Sequence, residues 1–181
     1  LGNCMNMPAE TAELLFPVAY EAFELRQDSG GAGQFRGGLG AIFKVRYLSD
    51  GELSMETART LEGSPGVSGG KHSDVQRQTK IHEDGQIEVI GGLAPNGEWK
   101  NPLLSGHPFA YGDTFMFEST GGGGWGNPLD REIHAVHEDI LDEYISTDRA
   151  EKVYGVAVHP DTFELDDART EELRAAIAAS S

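Results

Sequence analysis

Four consecutive glycines at residues 121–124, followed by Trp125 and Gly126, separate an apolar stretch from a stretch with helical periodicity. Glycine has no Cβ atom, so such a segment tolerates backbone angles and close contacts that other residues do not. The same letters satisfy the G-x-G-x-x-G pattern of dinucleotide-binding loops, which also join a strand to a helix. The segment is therefore either a phosphate-binding turn or a joint that needs glycine for its backbone geometry.

The sequence after these glycines does not continue as a dinucleotide-binding unit. Such a unit needs a second parallel strand and an acidic residue about 20 positions further on. Asp142 and Glu143 instead fall inside a predicted helix, and a second helix follows. Pro128 also occupies the start of the helix that would face the phosphate. We therefore interpret the glycines as a strand-to-helix joint that permits unusual φ angles or close approach of backbones, with Pro128 opening the helix.

Residues 18–120 have the pattern of antiparallel strands. Alternation of polar and apolar residues predicts strands at 19–26 and 41–48, and turn signals follow at 49–51 and at Asp84-Gly85. These turns predict two hairpins, the first pairing 41–48 with 52–60 and the second pairing 75–83 with 86–92. A last strand is predicted within 108–120, after a turn at 111–113.

The remainder of the chain is predicted to be mainly helical. A short helix capped by Thr11 is expected over Thr11–Leu15, and helical spacing of apolar residues predicts another from Ile133 to Tyr144. A further short helix, capped at Ser146 or Thr147, should end at Gly155, before a short strand over 156–160. Residues 167–181 form either a terminal helix or a frayed acidic tail. We predict an α+β fold, an antiparallel β-rich domain (1–127) with a small helical appendage and acidic tail (128–181), together one structural unit.

Composition excludes several classes of partner. The net charge is −16, from 30 acidic and 14 basic residues, which disfavours nucleic acids and anionic membrane surfaces. Cys4 is the single cysteine, so no internal disulfide forms and a reducing cytoplasmic location is expected. No apolar run approaches the length of a membrane span.

The sequence identifies no catalytic residue and no metal ligand. His134 and His137 lie beside Glu138 on a helix, a spacing more typical of a solvated face than of a metal site. Ser29 and Ser119 lack the G-x-S-x-G elbow of a nucleophile. Arg26 or Arg36 is expected to pair with Asp28 and organise its turn, or else to bind an acidic group. The candidate site or interface loops carry Asp28, Arg36, Gly121, Gly122, Gly123, Gly124 and Trp125.

Three long segments, in this order, carry a family resemblance: "ELRQDSGGAGQFRGGLG" (24–40), "GDTFMFESTGGGGWGNPLDR" (112–131) and "VHEDILDEYISTDRAEKVYGV" (136–156). Together with "GNCMNMPAE" near the start, they resemble the C-terminal part of the hydantoinase B/oxoprolinase family. That family includes B-type subunits of ATP-dependent hydantoinases, 5-oxoprolinase, and the large subunits of acetone and acetophenone carboxylases. The resemblance covers roughly residues 2–158.

The resemblance implies a component of an ATP-dependent enzyme that acts on a cyclic amide or a ketone. In the family, an A-type partner uses ATP, and the metal-binding His and Asp residues lie in the N-terminal portion of the B-type chain. ATP and a divalent metal are therefore expected in the whole complex and not on this chain. The chain starts at Leu1 without a Met, so we expect a fragment, a processed chain or a small subunit that is inactive alone. The alternative is a non-catalytic binding or assembly module of such a complex.

Overall fold

The structure is a computed structural model that describes residues 6–180. Within this range, antiparallel strands precede a group of helices, which confirms the predicted α+β fold. The strands are β1 (Val18–Leu25), β2 (Ala41–Tyr47), β3 (Gly51–Met55), β4 (Arg77–Ile81), β5 (Ile87–Leu93), β6 (Trp99–Lys100), β7 (Leu104–Phe109) and β8 (Thr114–Glu118). The helices are α1 (Ala9–Leu15), α2 (Ile133–Leu141), α3 (Thr147–Arg149) and α4 (Asp167–Ser180).

Helix ends agree with the sequence in some places and not in others. The Ser146 side chain accepts a hydrogen bond from the Arg149 N–H, as expected of an N-cap, and α3 continues as a π-helical turn to Tyr154. That turn ends at Gly155, whose φ of 63° lies in the left-handed region. The predicted cap at Thr11 is wrong, because α1 begins at Ala9 after Pro8 and has no side-chain cap. Pro8 is the N-cap residue, and its carbonyl accepts the first helical hydrogen bond, from the Ala12 N–H at 3.0 Å.

The strands form a six-stranded sheet in the order β1-β2-β8-β4-β5-β6 and a separate pair, β3-β7. The predicted hairpin at Asp84-Gly85 is confirmed, since β4 pairs antiparallel with β5. The predicted hairpin at residues 49–51 is wrong. β2 pairs with β8, whereas β3 pairs with β7, so the chain changes sheets at this turn. A turn signal identifies a change of direction but not the partner that the next strand will find.

Contacts divide the chain into two compact units. Unit 1 contains the described residues of Leu1–Glu24 with Ile42–Thr60 and Gln76–Glu118. Unit 2 contains Leu25–Ala41 and Leu61–Val75 with the described residues of Ser119–Ser181. Unit 2 contains residues from both sides of the predicted boundary after residue 127. That boundary stays a prediction about folding domains.

Each unit has its own hydrophobic core. In unit 1, both sheets contribute to a buried cluster of Ile90, Leu104, Phe109 and Phe115, and the Tyr47 ring stacks on Phe109 with centroids 4.6 Å apart. In unit 2 the helices supply most of the core, which consists of Ala32, Val136, Ile140, Ile145, Ala150, Tyr154 and Val156. No helix among residues 6–180 has both the length and the apolar character that spanning a membrane requires.

A buried ion pair joins β4 to the end of the β7–β8 turn in unit 1. Lys80 Nζ lies 2.9 Å from Asp113 Oδ2, donates to the Pro108 carbonyl at 2.9 Å and lies 4.9 Å from the Phe109 ring centroid. Burial alone would raise the pKa of Asp113. Hydrogen bonds from Lys80 and from the Ala110 N–H outweigh it, so the pKa of Asp113 lies below its ordinary value. The ionised carboxylate is therefore the form that the fold stabilises.

This pair predicts a specific loss of stability in acid. A group with a lowered folded-state pKa contributes stability above its unfolded pKa of 3.8, and that contribution disappears as the pH falls through the folded-state value. We expect Asp113→Asn to lower the free energy of unfolding by about 2 kcal/mol at pH 7. The difference from the parent chain should shrink below about pH 3.8. Urea titrations of both proteins between pH 2 and 7 measure this, and a difference independent of pH would contradict it.

Candidate functional site

Three glycine-rich segments of unit 2 lie side by side and are joined by backbone hydrogen bonds. We call residues 30–40, 63–71 and 121–126 together the glycine platform. The third segment lies between the other two. Trp125 forms an antiparallel bridge with Phe35, through mutual N–H to carbonyl hydrogen bonds of 2.9 and 3.0 Å, and a parallel bridge with Val67. The Val67 N–H donates to the Gly124 carbonyl at 2.9 Å, and the Gly31 N–H donates to the Gly122 carbonyl at 2.8 Å.

The platform needs glycine because its backbones touch. A Cβ atom on Gly37 would lie 2.0 Å from the Gly122 carbonyl oxygen, and one on Gly124 would lie 2.1 Å from the Ala32 carbonyl oxygen. A Cβ on Gly123 would lie 1.9 Å from the Pro65 carbonyl oxygen. These separations are far below van der Waals contact, so a side chain at these positions would force the segments apart. The sequence left two reasons for these glycines, unusual φ angles or close approach of backbones. At Gly37, Gly123 and Gly124 the reason is close approach.

The platform segment does not have the geometry of a phosphate cradle. Phosphate-binding loops direct free backbone N–H groups at the ligand. Here the N–H groups of Gly122 and Gly124 donate to the carbonyls of Gly38 and Lys71 at 2.8 and 3.0 Å. Those of Trp125 and Gly126 are also used inside the platform. Four N–H groups of this segment are therefore already hydrogen-bonded within the platform and are not free to bind a phosphate, so the segment does not fit a nucleotide.

Three apolar side chains project from the platform into solvent. Phe35, Val67 and Trp125 are 61%, 56% and 48% exposed, and the Phe35 and Trp125 ring centroids are 5.6 Å apart. Because Trp125 is bridged to both neighbours, the three side chains form one patch, which we call the Trp125 patch. Its backbone is fixed by hydrogen bonds on both sides. Aromatic side chains held on rigid backbone are typical anchors of protein interfaces.

Arg36, next to Phe35, forms part of a buried charge network in unit 2. Its Nε and Nη2 atoms donate to the two carboxylate oxygens of Asp139 on α2 at 2.9 and 3.0 Å. Arg131 Nη2 donates to the same carboxylate at 2.8 Å, and the Arg36 guanidinium carbon lies 5.4 Å from the Tyr144 ring centroid. The hydrogen bond to Asp139 raises the pKa of Arg36 above its ordinary value despite burial. The network thus fixes the glycine segment to α2 through charge.

The predicted pairing of an arginine with Asp28 is wrong. Arg26 is hydrogen-bonded to Asp74 and to the carbonyls of Val75 and Ser119, whereas Arg36 takes Asp139. Asp28 has a left-handed φ of 62°, and its carboxylate accepts a hydrogen bond from the Ser146 N–H at 2.9 Å. Short side chains such as aspartate tolerate that conformation and bond locally to backbone. Proximity in sequence was a misleading signal, because the true partners lie 48 and 103 positions away.

The remaining candidates have local roles. Ser29 donates to the Arg26 carbonyl and accepts from the Gly40 N–H, and the Ser119 hydroxyl accepts from the Ala41 N–H. His137 Nε2 is 2.7 Å from the Phe163 carbonyl oxygen. Over residues 6–180, no group of three or more His, Cys, Asp and Glu side chains is arranged to hold a metal ion. Cys4 lies outside the described residues.

Comparison with known proteins places this geometry in a family. The profile of hydantoinase B/oxoprolinase matches residues 1–128. A protein described as the B-type subunit of a D-/L-hydantoinase, from Pseudomonas sp. (strain NS671), is 33% identical over 178 residues, which cover 95% of this chain and 27% of that protein. The beta chain of the caprolactamase of Pseudomonas jessenii is 31% identical over 183 residues, covering 97% of this chain and 29% of that protein.

Solved structures share the fold. An acetone carboxylase in a nucleotide-free state superposes with a TM-score of 0.73 at 22% identity, over 96% of this chain and 26% of that one. The ATP-dependent caprolactamase of P. jessenii superposes with a TM-score of 0.72 at 26% identity, over 94% of this chain and 28% of that one. The chain thus spans less than a third of the length of the relatives it matches. With 128 of its 181 residues matched by the family profile, the chain belongs to the hydantoinase B/oxoprolinase family.

Proposed function

We propose that this chain is one component of an ATP-dependent enzyme that hydrolyses a cyclic amide or carboxylates a ketone. The support is its family, whose matched members include an ATP-dependent caprolactamase and an acetone carboxylase. The chain corresponds to only 27% and 29% of the two hydantoinase- and caprolactamase-type relatives, so the reaction would need the remaining portion. We assign ATP use to an A-type partner and the divalent metal to the remaining B-type portion. The complex would be cytoplasmic.

The observation that carries a role for this chain is the Trp125 patch on the glycine platform. Tryptophan and phenylalanine side chains have two rotatable bonds each, and here their backbone is fixed by hydrogen bonds between the platform segments. They therefore lose little conformational freedom when another surface covers them. The platform glycines allow three backbones to support one small apolar surface. We infer that the patch contacts the rest of the enzyme, either at the active site or at an assembly interface. The isolated chain would then have no turnover.

Trp125→Ala separates a site role from an assembly role. In the complex reconstituted with its A-type and B-type partners, loss of the indole should weaken assembly by about 2 kcal/mol, roughly 30-fold, because central aromatic anchors dominate interface energies. Assembly is measured by titration of labelled chain, and turnover by ATP-dependent consumption of a lactam, a hydantoin or a ketone at saturating chain.

Tyr111→Ala is the matched control, because Tyr111 is an exposed aromatic residue that belongs to unit 1 and not to the platform. Weaker assembly with unchanged turnover per assembled complex would favour the second candidate function, a non-catalytic assembly module. Unchanged assembly with lost turnover would place the patch at the active site. If neither quantity changes, the role given to the patch is wrong. If wild-type chain adds nothing to turnover by its partners, the proposed enzyme component itself is wrong.

A further inference from the structure

A second apolar surface lies on unit 1, over α1 and β1. Leu14, Leu15 and Phe16, at the end of α1, are 86%, 65% and 53% exposed, and Phe23 on β1 is 66% exposed. The Phe23 ring meets Phe43 of β2 edge-to-face with centroids 6.2 Å apart. We call Leu14, Leu15, Phe16 and Phe23 the α1–β1 face. Phe43 lines the same cavity as Phe16, so these side chains cluster in one part of unit 1. Scattered apolar residues are normal on a protein surface, but a cluster of large ones indicates an interaction surface.

A cavity opens into the same part of unit 1. Its volume is about 340 Å³, and its lining is almost entirely apolar. Phe16 of the face lines it together with Val18 and Tyr20 of β1 and with Phe43 and Val45 of β2. Two of these lining residues, Tyr20 and Phe43, meet edge-to-face with ring centroids 5.1 Å apart. A neighbouring surface that covers the face would thus find a preformed recess for an apolar side chain.

Charge around the face decides between a second copy of this chain and a different partner. The same two elements carry four glutamates, Glu10, Glu13, Glu21 and Glu24. Among the ion pairs of the described residues, one involves these glutamates, and it joins Arg46 Nε to Glu21 at 3.2 Å. Two copies meeting through this face would bring these carboxylates together, in a chain whose net charge is already −16. A basic or neutral rim around an apolar centre is the complementary surface.

We propose that the α1–β1 face is covered by the remaining portion of the B-type polypeptide, which inserts an apolar side chain into the cavity. This inference rests on the proposed function. The hydantoinase- and caprolactamase-type relatives have more than two thirds of their length outside the region that matches this chain, so most of each B-type protein is available to cover the face. The face lies on unit 1, whereas the Trp125 patch lies on unit 2, so the two surfaces are tested by different substitutions.

The test is a binding titration between this chain and the remaining B-type portion from the same genome, expressed as a separate polypeptide. We expect the double substitution Leu14→Glu/Phe23→Glu to weaken binding by at least about 30-fold, since it places charges within an apolar interface. Both side chains are exposed, so the fold should survive, which circular dichroism and thermal melting check. Ile87→Glu is the matched control, because Ile87 is 67% exposed in unit 1 and lies on β5, away from β1 in the sheet order.

The outcomes separate this inference from the proposed function. If the wild-type chain does not bind the B-type portion, the proposed function fails at its first step. If it binds and the double variant binds equally well, the α1–β1 assignment is overturned while the proposed function stands. A dimer of the isolated chain that the double substitution disperses in analytical ultracentrifugation would also overturn it, in favour of a second copy. Loss of binding in the double variant, with Ile87→Glu unchanged, supports it.

Discussion

Gly37→Ala is expected to disrupt the glycine platform, while Gly38→Ala, one residue along, leaves it intact. A Cβ on Gly37 would lie 2.0 Å from the Gly122 carbonyl oxygen and 2.5 Å from its carbonyl carbon, both backbone atoms that cannot rotate away. A Cβ on Gly38 meets nothing within 4 Å. We expect Gly37→Ala to cost more than about 4 kcal/mol, beyond ordinary overpacking, because relief requires separating two hydrogen-bonded segments.

Comparison with Gly38→Ala separates the effect of the backbone contact at residue 37 from the general effect of replacing a glycine. Both variants lose the same backbone freedom in the unfolded chain, so that effect cancels in their comparison. Gly38→Ala should therefore change the free energy of unfolding by less than about 1 kcal/mol. Urea denaturation followed by tryptophan fluorescence reports on the platform, since Trp125 lies within it. Equal destabilisation by the two alanines would mean that backbone contact is not the reason for glycine at residue 37.

The sequence predicted the class of fold because its strongest local signals are also those that the structure uses. The Asp84-Gly85 turn forms the β4–β5 hairpin, and the Ser146 cap and Gly155 stop bound the helical segment as expected. The turn at residues 49–51 shows the limit. Its local chemistry specifies reversal of the chain, but the paired residues of β2 and β3 lie 49 to 76 positions away, in β8 and β7. Pairing over such distances is decided by burial of whole strand faces, which a single turn does not encode.

In the candidate site, too, the local features were predictable from the sequence and the long-range contacts were not. Glycine runs in three separate segments are visible in the sequence, but their assembly into one platform depends on contacts such as Gly37 with Gly122, 85 positions apart. The sequence predicted that Arg26 or Arg36 pairs with Asp28, but each arginine has a distant carboxylate instead, Asp74 and Asp139 respectively. A guanidinium on a seven-atom side chain reaches several carboxylates, and only the fold selects among them. The α1–β1 face could not be predicted from the sequence, because the alternation of residues in β1 is the same whether its outer side chains face water or another chain.

Loss of the Asp139 charge is expected to be the most damaging single change outside the glycines. Its carboxylate accepts hydrogen bonds from both Arg36 and Arg131, and all three side chains are at most 15% exposed. Asp139→Asn keeps the shape of the side chain but leaves two guanidinium groups close together with no counter-charge. Arginine stays protonated at neutral pH, and the pKa of Arg36 is raised further in this fold, so the charge cannot be lost by deprotonation. We expect a loss of about 3–5 kcal/mol, the cost of breaking a buried pair from one side.

Asp148→Asn is the comparison that shows how much of the Asp139 effect is due to burial of the ion pair. Asp148 pairs with Lys152 at 2.6 Å, a shorter separation than any at Asp139, but both side chains are about 70% exposed. Such a surface pair contributes about 0.5 kcal/mol or less, and salt screens it. Chemical denaturation of both variants at 0.05 and 0.5 M NaCl should therefore give a large, salt-insensitive loss for Asp139→Asn and a small, salt-sensitive one for Asp148→Asn. Similar losses in the two variants would show that the Arg36–Asp139–Arg131 network adds no more than a surface pair, and that backbone contacts alone hold the platform to α2.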